Sequence, residues 1–292
     1  MTPRLNRWII ILVLVIAIPS YWLLFENGTG NAAPKNLNIA QLRMLASQAP
    51  GQAPEKIHYE AIARREVMRN LVAAGYGLRA EQLFVFVHML ENPARAPILI
   101  GSGLTRQQAK QRDYRRHFSA AQDRVTQMFA QGAGLIPLDQ SVAQTGGLEL
   151  LGTTPAAARI KRDIARQWQR DARREPYAHS RGVVIVPTPG LHPGSRLVFV
   201  KLASGREYLF AGSLAPISQS WTDLRAPARL VTDRFRKDDR QEIHSWLMTL
   251  KALKRQAPAL TIVSGSHIPK KRGLLRYFPT KAADYLVLAI AG

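Results

Sequence analysis

Cysteine is absent from this sequence, and acidic residues are scarce. The 292 residues include no Cys, which excludes disulfide bonds and thiolate metal sites. Asp and Glu number 20 against 41 Lys and Arg, so the formal net charge is +21. With 46% hydrophobic and 21% charged residues, the composition is that of a folded chain rather than a disordered one. The length suits one sizeable domain plus an anchor.

The positive charge is concentrated in basic clusters, which are Arg115-Arg116, Arg173-Arg174, residues 234–237 and residues 270–272. Such a surface attracts anionic lipid headgroups, cell-envelope polymers or nucleic acid. No DNA- or RNA-binding motif accompanies the clusters, and the apolar run at residues 8–25, which predicts export, argues against nucleic acid. An anionic ligand, a lipid headgroup or an envelope partner is therefore expected. A solvated basic surface with no partner is the alternative interpretation.

One uncharged apolar run stands near the N-terminus, from Trp8 to Phe25. As a helix it would be about 27 Å long, close to the hydrocarbon thickness of a bilayer. Arg4 and Arg7 precede the run, and the first cation after it is Lys35. The positive-inside rule then predicts a cytoplasmic N-terminus and a domain outside the cytoplasmic (inner) membrane. A signal peptide cleaved near residues 32–33 is the alternative, and it also exports the domain.

These signals divide the chain into four parts. Residues 1–7 are expected to form a cytoplasmic stub, and residues 8–25 a single-pass transmembrane anchor. Residues 26–54, which carry several Gly and Pro, are expected to be a linker with one short helix at 39–47. Residues 55–292 are expected to form the folded domain.

Strand and helix signals alternate within that domain, which predicts an α/β fold. Strands are predicted at 83–88, 97–100, 134–138, 183–187, 197–202, 208–211 and 260–264, where short β-branched or aromatic runs are flanked by Gly or Pro. Helices are predicted at 118–131, 154–173 and 238–256. Residues 57–75 are ambiguous, because local propensity favours a helix over 61–73.

Five short motifs occur in order along the domain. They are PILIGSG at 97–103, GLIPLDQSVAQTGGL at 134–148, VVIVPTPGLHPGS at 183–195, GREYLFAGS at 205–213 and LTIVSGSH at 260–267. Together they resemble the ILIDTG, THxHxDHxGGL, TPGHTPGS, GD and PGHD motifs of the metallo-β-lactamase superfamily. The resemblance covers roughly residues 55–270, and the order of several motifs makes it more specific than any one motif. It implies a four-layer αβ/βα sandwich in which part of 57–75 is strand.

The residues that perform the family's chemistry are replaced. In that family, His and Asp side chains at strand ends hold two Zn²⁺ about 3.5–4 Å apart. The matching positions here are Gly101, Asp139, Ser141, Ala143, Gln144, Leu191, Ser213 and Ser266. Only Asp139 among them is a good metal ligand, since hydroxyl and amide groups bind Zn²⁺ poorly. The resemblance therefore implies a retained scaffold without the zinc site, and no cofactor is expected.

Two histidines leave a rebuilt site open as an alternative. His192 and His267 each follow a lost ligand position by one residue, so they could hold a single metal together with Asp139. A shift of one residue at a strand end usually turns the side chain to the other face, which argues against this. Another alignment makes His88 the first ligand and also leaves no metal site.

The sequence thus predicts a catalytically degenerate, membrane-tethered binding or scaffold module. Its vestigial pocket would be formed by Asp139, Ser141, Gln144, Leu191, His192, Ser213, Ser266 and His267. The alternative is a divergent hydrolase that acts on a lactone or ester bond with one metal or none.

Overall fold

A long apolar helix forms the N-terminal part of the structure. In the computed structural model, which describes residues 3–267 and 276–277, helix α1 spans Pro3–Leu24. Its segment Arg4–Leu24 has a mean hydropathy of 2.1 and is not buried by the rest of the protein. A helix of this length and composition can cross a bilayer. The basic cluster at 270–272 and the predicted end of the domain lie outside the described residues.

Two mixed sheets form the centre of the domain. In the first, the strands follow the order β11-β1-β2-β3-β5, with β4 beside β1. Its strands are β1 (Lys56–Met68), β2 (Ala80–Glu91), β3 (Ile98–Ile100), β4 (Arg116–His117), β5 (Gly134–Ile136) and β11 (Arg276–Tyr277). In the second sheet the order is β10-β9-β8-β7-β6. Its strands are β6 (Tyr177–Ser180), β7 (Val183–Pro187), β8 (Arg196–Lys201), β9 (Glu207–Phe210) and β10 (Thr261–Val263).

Helices complete the layers. The longer ones are α2 (Ile39–Gln48), α5 (Ser119–Ala130), α7 (Pro155–Asp171) and α9 (Arg240–Gln256). Short helices are α3 (Arg69–Val72), α4 (Arg106–Gln111), α6 (Val142–Thr145) and α8 (Ser218–Thr222). Gly146–Leu151 and Gly212–Leu214 form 3-10 turns, and Leu230–Arg236 is a π-helical segment. The predicted strands and the three predicted helices agree with these elements to within a few residues at each end.

Burial on both faces of the sheets explains the four layers. On β7, Val183 and Ile185 pack between the two sheets, whereas Val184 and Val186 pack outward against α2 and α9. The outer face of the first sheet packs against α5 and α7, through residues such as Phe129. Strands buried on both faces have continuous apolar runs, as β7 does. The predicted αβ/βα sandwich is therefore confirmed.

Strand β1 shows why propensity was misleading between residues 57 and 75. The local sequence favours a helix over 61–73, but the chain is strand from Lys56 to Met68. It pairs antiparallel with β2 along its full length, with one irregularity between Ala61 and Ala63. Cross-strand hydrogen bonds and burial outweigh the weak intrinsic preference of Ala and Arg for helix.

The segment 26–54 differs from the linker that its composition predicts. Leu42 on α2 is fully buried, and Leu37, Ile39 and Ala46 also belong to the core outside the second sheet. The Arg43 guanidinium forms an ion pair with Glu207 at 2.6 Å. Apolar residues spaced along one face of a short helix are enough to attach it to the domain. The predicted helix at 39–47 is present, but it belongs to the packed domain.

Candidate functional site

A cavity of about 730 Å³ lies at one edge of the two sheets. Loops that follow β5, β7, β9 and β10 contribute to its walls, because the ends of these strands meet at that edge. The predicted site residues that line it are Asp139, Ser141, Gln144, His192, Ser213 and Ser266. The structure thus brings most of the predicted pocket together.

The loop after β5 is held by its own polar side chains. Asp139 is buried, and its Oδ1 accepts a hydrogen bond from the Ser141 backbone N–H at 2.8 Å. The Gln144 side-chain oxygen accepts a hydrogen bond from the Leu138 backbone N–H at 3.0 Å. The Gln144 backbone carbonyl accepts another from the Ser102 N–H at 2.9 Å. Asp139 and Gln144 therefore stabilise the turn in addition to lining the cavity.

Leu191 and His192, in the loop between β7 and β8, have different surroundings. Leu191 packs against the core between the second sheet and helices α2 and α9, and it does not line the cavity. Its predicted place in the pocket is therefore wrong. His192 lines the cavity, and its Nδ1 is buried without a hydrogen-bond partner among the described residues. Gly190, with a φ of +85°, makes the turn while lying against the Glu242 side chain.

Ser213 and Ser266 line the cavity, whereas His267 does not. Ser213 lines the cavity with a buried Oγ that has no hydrogen-bond partner in the described part of the chain. The Ser266 backbone N–H donates to the Pro216 carbonyl at 2.9 Å. His267 points elsewhere: its Nε2 lies 3.1 Å from the Gln82 carbonyl oxygen and 3.3 Å from Glu81. The predicted convergence of His267 with Asp139 is therefore absent, because the side chain turns towards β2.

Asp238 and Arg236 belong to the site's surroundings, although no motif in the sequence points to them. Arg236 lines the cavity and forms an ion pair with buried Asp238 at 2.7 Å. Burial raises the pKa of the Asp238 carboxyl, and nearby Asp139 acts in the same direction, while Arg236 and His192 oppose the shift. The basic run at residues 234–237 was the only sequence signal that included Arg236, and it did not predict that this segment lies beside the cavity.

Cations outnumber anions along the cavity wall. Arg65, Arg112 and Arg236 line it, whereas Asp139 is the one carboxylate among the lining residues of the described chain. Nε of Arg65 is buried without a hydrogen-bond partner among those residues, and its guanidinium stacks on the Tyr114 ring at 5.2 Å. The remaining wall includes apolar residues, namely Val67, Leu71, Val72, Leu83, Phe84, Val85, Phe86, Val142, Val231 and Phe235. This combination suits an anion that carries an apolar part.

The donor set does not fit a zinc pair. Within residues 3–267 and 276–277, no group of three or more His, Cys, Asp or Glu side chains is placed to hold a metal ion. Catalytic zinc sites use three protein ligands of these types for each metal. Asp139 and His192 are the cavity residues of the right chemistry, and they are too few.

His88 lies inside β2 and not in a strand-end loop. Its ring is buried between the sheets and lies 4.9 Å from the ring of Phe210. Burial lowers the pKa of His88 to about 3, so the ring is neutral at physiological pH. The alternative alignment that made His88 a ligand residue is therefore not supported by its position.

Comparison with solved structures identifies the fold. A quorum-quenching N-acyl homoserine lactone lactonase superposes with a TM-score of 0.56 at 16% sequence identity, covering 79% of this chain and 99% of the lactonase. A mutant of B. thuringiensis AiiA, with N-decanoyl-L-homoserine bound at its active site, gives a TM-score of 0.52 at 16% identity. That match covers 78% of this chain and 99% of the other. No protein-family model and no curated protein matches the sequence. The chain has the fold of the metallo-β-lactamase hydrolases.

Proposed function

We propose that this chain, which has the metallo-β-lactamase fold, is a catalytically degenerate member that binds an anionic ligand instead of hydrolysing a substrate. The observation that carries the proposal is the composition of the cavity at the sheet edge. Serine, glutamine and one aspartate line a cavity of about 730 Å³ and occupy the positions that the motif resemblance matches to the family's metal ligands. A retained cavity without a metal-binding set supports binding more than catalysis.

The ligand class follows from the cavity wall. Arg65 and Arg112 supply positive charge, whereas Arg236 is already paired with Asp238. Guanidinium groups bind carboxylates and phosphates through paired N–H donors. The unpartnered Ser213 Oγ and His192 Nδ1 add further polar contacts for a ligand. An anionic ligand would satisfy these groups, whereas a cation would meet only Asp139.

The proposed location is the outer side of the cytoplasmic membrane, with α1 as a single-pass anchor. This orientation rests on Arg4 and Arg7 before the apolar segment and on the absence of cations from there to Lys35. The domain would then act as a membrane-tethered binding or scaffold module whose partner is a lipid headgroup or an envelope component.

A divergent hydrolase is the second candidate. Its support is the fold, which this chain shares with a lactonase, together with the proximity of Asp139 and His192 in one cavity. A single metal held by these two residues would need further ligands from water or substrate.

A hydrolysis assay separates the two candidates. The full-length protein in detergent would be incubated with acyl lactones and esters, with Zn²⁺, Mn²⁺ or Fe²⁺ added, beside the variant Asp139→Ala. We expect equal, background rates for both proteins with every metal. Metal-dependent turnover that is lost in Asp139→Ala would overturn the degenerate function and establish the hydrolase.

A further inference from the structure

The end of helix α1 is fixed to one face of the domain. Glu26 accepts from Arg229 Nε at 2.6 Å, and the Arg229 guanidinium lies 4.2 Å from the centre of a Trp22 ring. The Glu26 carbonyl also accepts from Arg240 at 3.2 Å. Asn27 continues the attachment, because its side chain donates to one backbone group and accepts from another in residues 224–226. The end of α1 is therefore bound directly to the domain and not joined to it by a flexible linker alone.

A second loop adjoins the same helix end. Gly75 lies so close to Phe25 that a Cβ on this glycine would be 3.3 Å from the Phe25 carbonyl oxygen. The Arg225 guanidinium donates to the Ala74 carbonyl at 2.7 Å, and the Ala74 N–H donates to the Ala226 carbonyl at 2.8 Å. These contacts join the loop to the segment that holds α1.

We call residues 75–79 and 230–237 the juxtamembrane face. Phe235 is 76% exposed, more than Trp8 in the apolar helix itself at 70%, and Leu78 is 61% exposed. Arg79, Arg234 and Lys237 are exposed on the same two segments, and none has an ion-pair partner among the described residues. Exposed large apolar side chains beside unpaired cations match the composition of interfacial membrane segments.

We propose that the juxtamembrane face is a second membrane contact, in which Leu78 and Phe235 enter the interfacial zone of an anionic bilayer. Interfacial segments combine apolar side chains that insert at the headgroup boundary with Lys and Arg that bind anionic lipid. Because Arg229 and Gly75 contact the end of α1, the segments that adjoin them lie close to where α1 would leave the bilayer. The positive charge of both segments is complementary to anionic lipid. The proposal rests on the proposed role of α1 as a membrane anchor.

This contact bears on the cavity, because Phe235 and Arg236 line it as well. The π-helical segment Leu230–Arg236 thus forms part of the cavity wall and part of the juxtamembrane face. Docking on lipid would hold that wall at the bilayer surface.

The absence of cysteine allows a direct test with single-cysteine variants of the full chain. Phe235→Cys and Leu78→Cys would each carry a spin label in nanodiscs of mixed neutral and anionic lipid. Leu150→Cys is the matched control, because Leu150 is an exposed leucine on a turn that packs against α5. Leu14→Cys, within α1, reports on the anchor.

We expect labels at 235 and 78 to lose accessibility to a water-soluble paramagnetic reagent, while the label at 150 keeps it. Protection at 235 and 78 should also weaken in nanodiscs of neutral lipid alone. Labels at 235 and 78 as accessible as the label at 150 would overturn the second contact, even if position 14 is protected. An accessible label at position 14 would instead overturn the anchor, and with it both proposals about the membrane.

Discussion

At the scale of single residues, Arg196 shows how the domain keeps a charge inside. Its side chain is fully buried, forms an ion pair with Asp171 at 2.6 Å and donates to Gln167 at 3.0 Å. The Tyr177 hydroxyl donates to the same Asp171 carboxylate at 3.0 Å. Burial lowers the pKa of the Arg196 guanidinium, while the Asp171 carboxylate acts in the opposite direction. The network joins α7 to β6 and β8 behind the cavity loops.

Arg196→Met is expected to lower the free energy of unfolding by about 3–5 kcal/mol, because it removes the cation that pairs with the Asp171 carboxylate, whose side chain is only 12% exposed. Urea unfolding of the detergent-solubilised protein measures the change. Arg166→Met is the control, since Arg166 is 75% exposed and lies 3.8 Å from Asp163. Removal of that exposed pair should change stability by about 0–1 kcal/mol. Equal losses in the two variants would contradict a structural role for the buried pair.

Where a motif fixed the backbone, the predicted pocket residues lie together in the structure. Asp139, Ser213 and Ser266 follow strands whose ends the motifs located, and all three line the cavity. Prediction failed for His267, because the direction of a side chain just beyond a strand end depends on neighbours such as Glu81, which no motif describes. Asp238 was missed because its approach to the cavity depends on tertiary packing.

At the scale of elements, the apolar pattern of the sequence predicted secondary structure correctly where local propensity did not. Strand β7 was predictable because it is buried on both faces and its sequence is continuously apolar. Strand β1 was predictable only from the motif resemblance, which implies strand within residues 57–75, because its Ala, Arg and Glu residues favour helix until β2 supplies hydrogen bonds along its length. Helix α2 was predicted but assigned to a linker, because the burial of Leu42 against the second sheet depends on distant residues.

Leu42→Ala tests whether α2 belongs to the domain. Removal of a fully buried leucine side chain should cost about 2–5 kcal/mol of unfolding free energy through lost burial and the cavity left behind. Met44→Ala on the same helix is the control, because Met44 is 53% exposed and should lose roughly 0.5 kcal/mol or less. Denaturant titration gives both values. If Leu42→Ala were as mild as Met44→Ala, residues 26–54 would behave as the linker that composition predicts.

At the scale of the whole molecule, the fold agrees with that of known hydrolases, whereas the loss of their metal chemistry is our proposal. Two sheets and their outer helices form the sandwich of metallo-β-lactamase hydrolases, and the cavity remains at the sheet edge. Glycines that make close turns there, such as Gly190 and Gly212, keep positive φ angles. The positions that the motif resemblance matches to the family's ligands carry serine, glutamine and leucine, which are poor zinc ligands, and the proposed loss of catalysis rests on them.

The central claim, that this cavity no longer holds a metal, is tested most directly by metal analysis of the full-length protein. The protein would be purified in detergent without chelators, analysed for bound metal and then titrated with Zn²⁺ while thermal unfolding is followed. The account predicts clearly substoichiometric metal and no rise in Tm, because a ligand that does not bind the native state cannot stabilise it. Near-stoichiometric metal that is lost in Asp139→Ala, with a Zn²⁺-dependent rise in Tm, would contradict it.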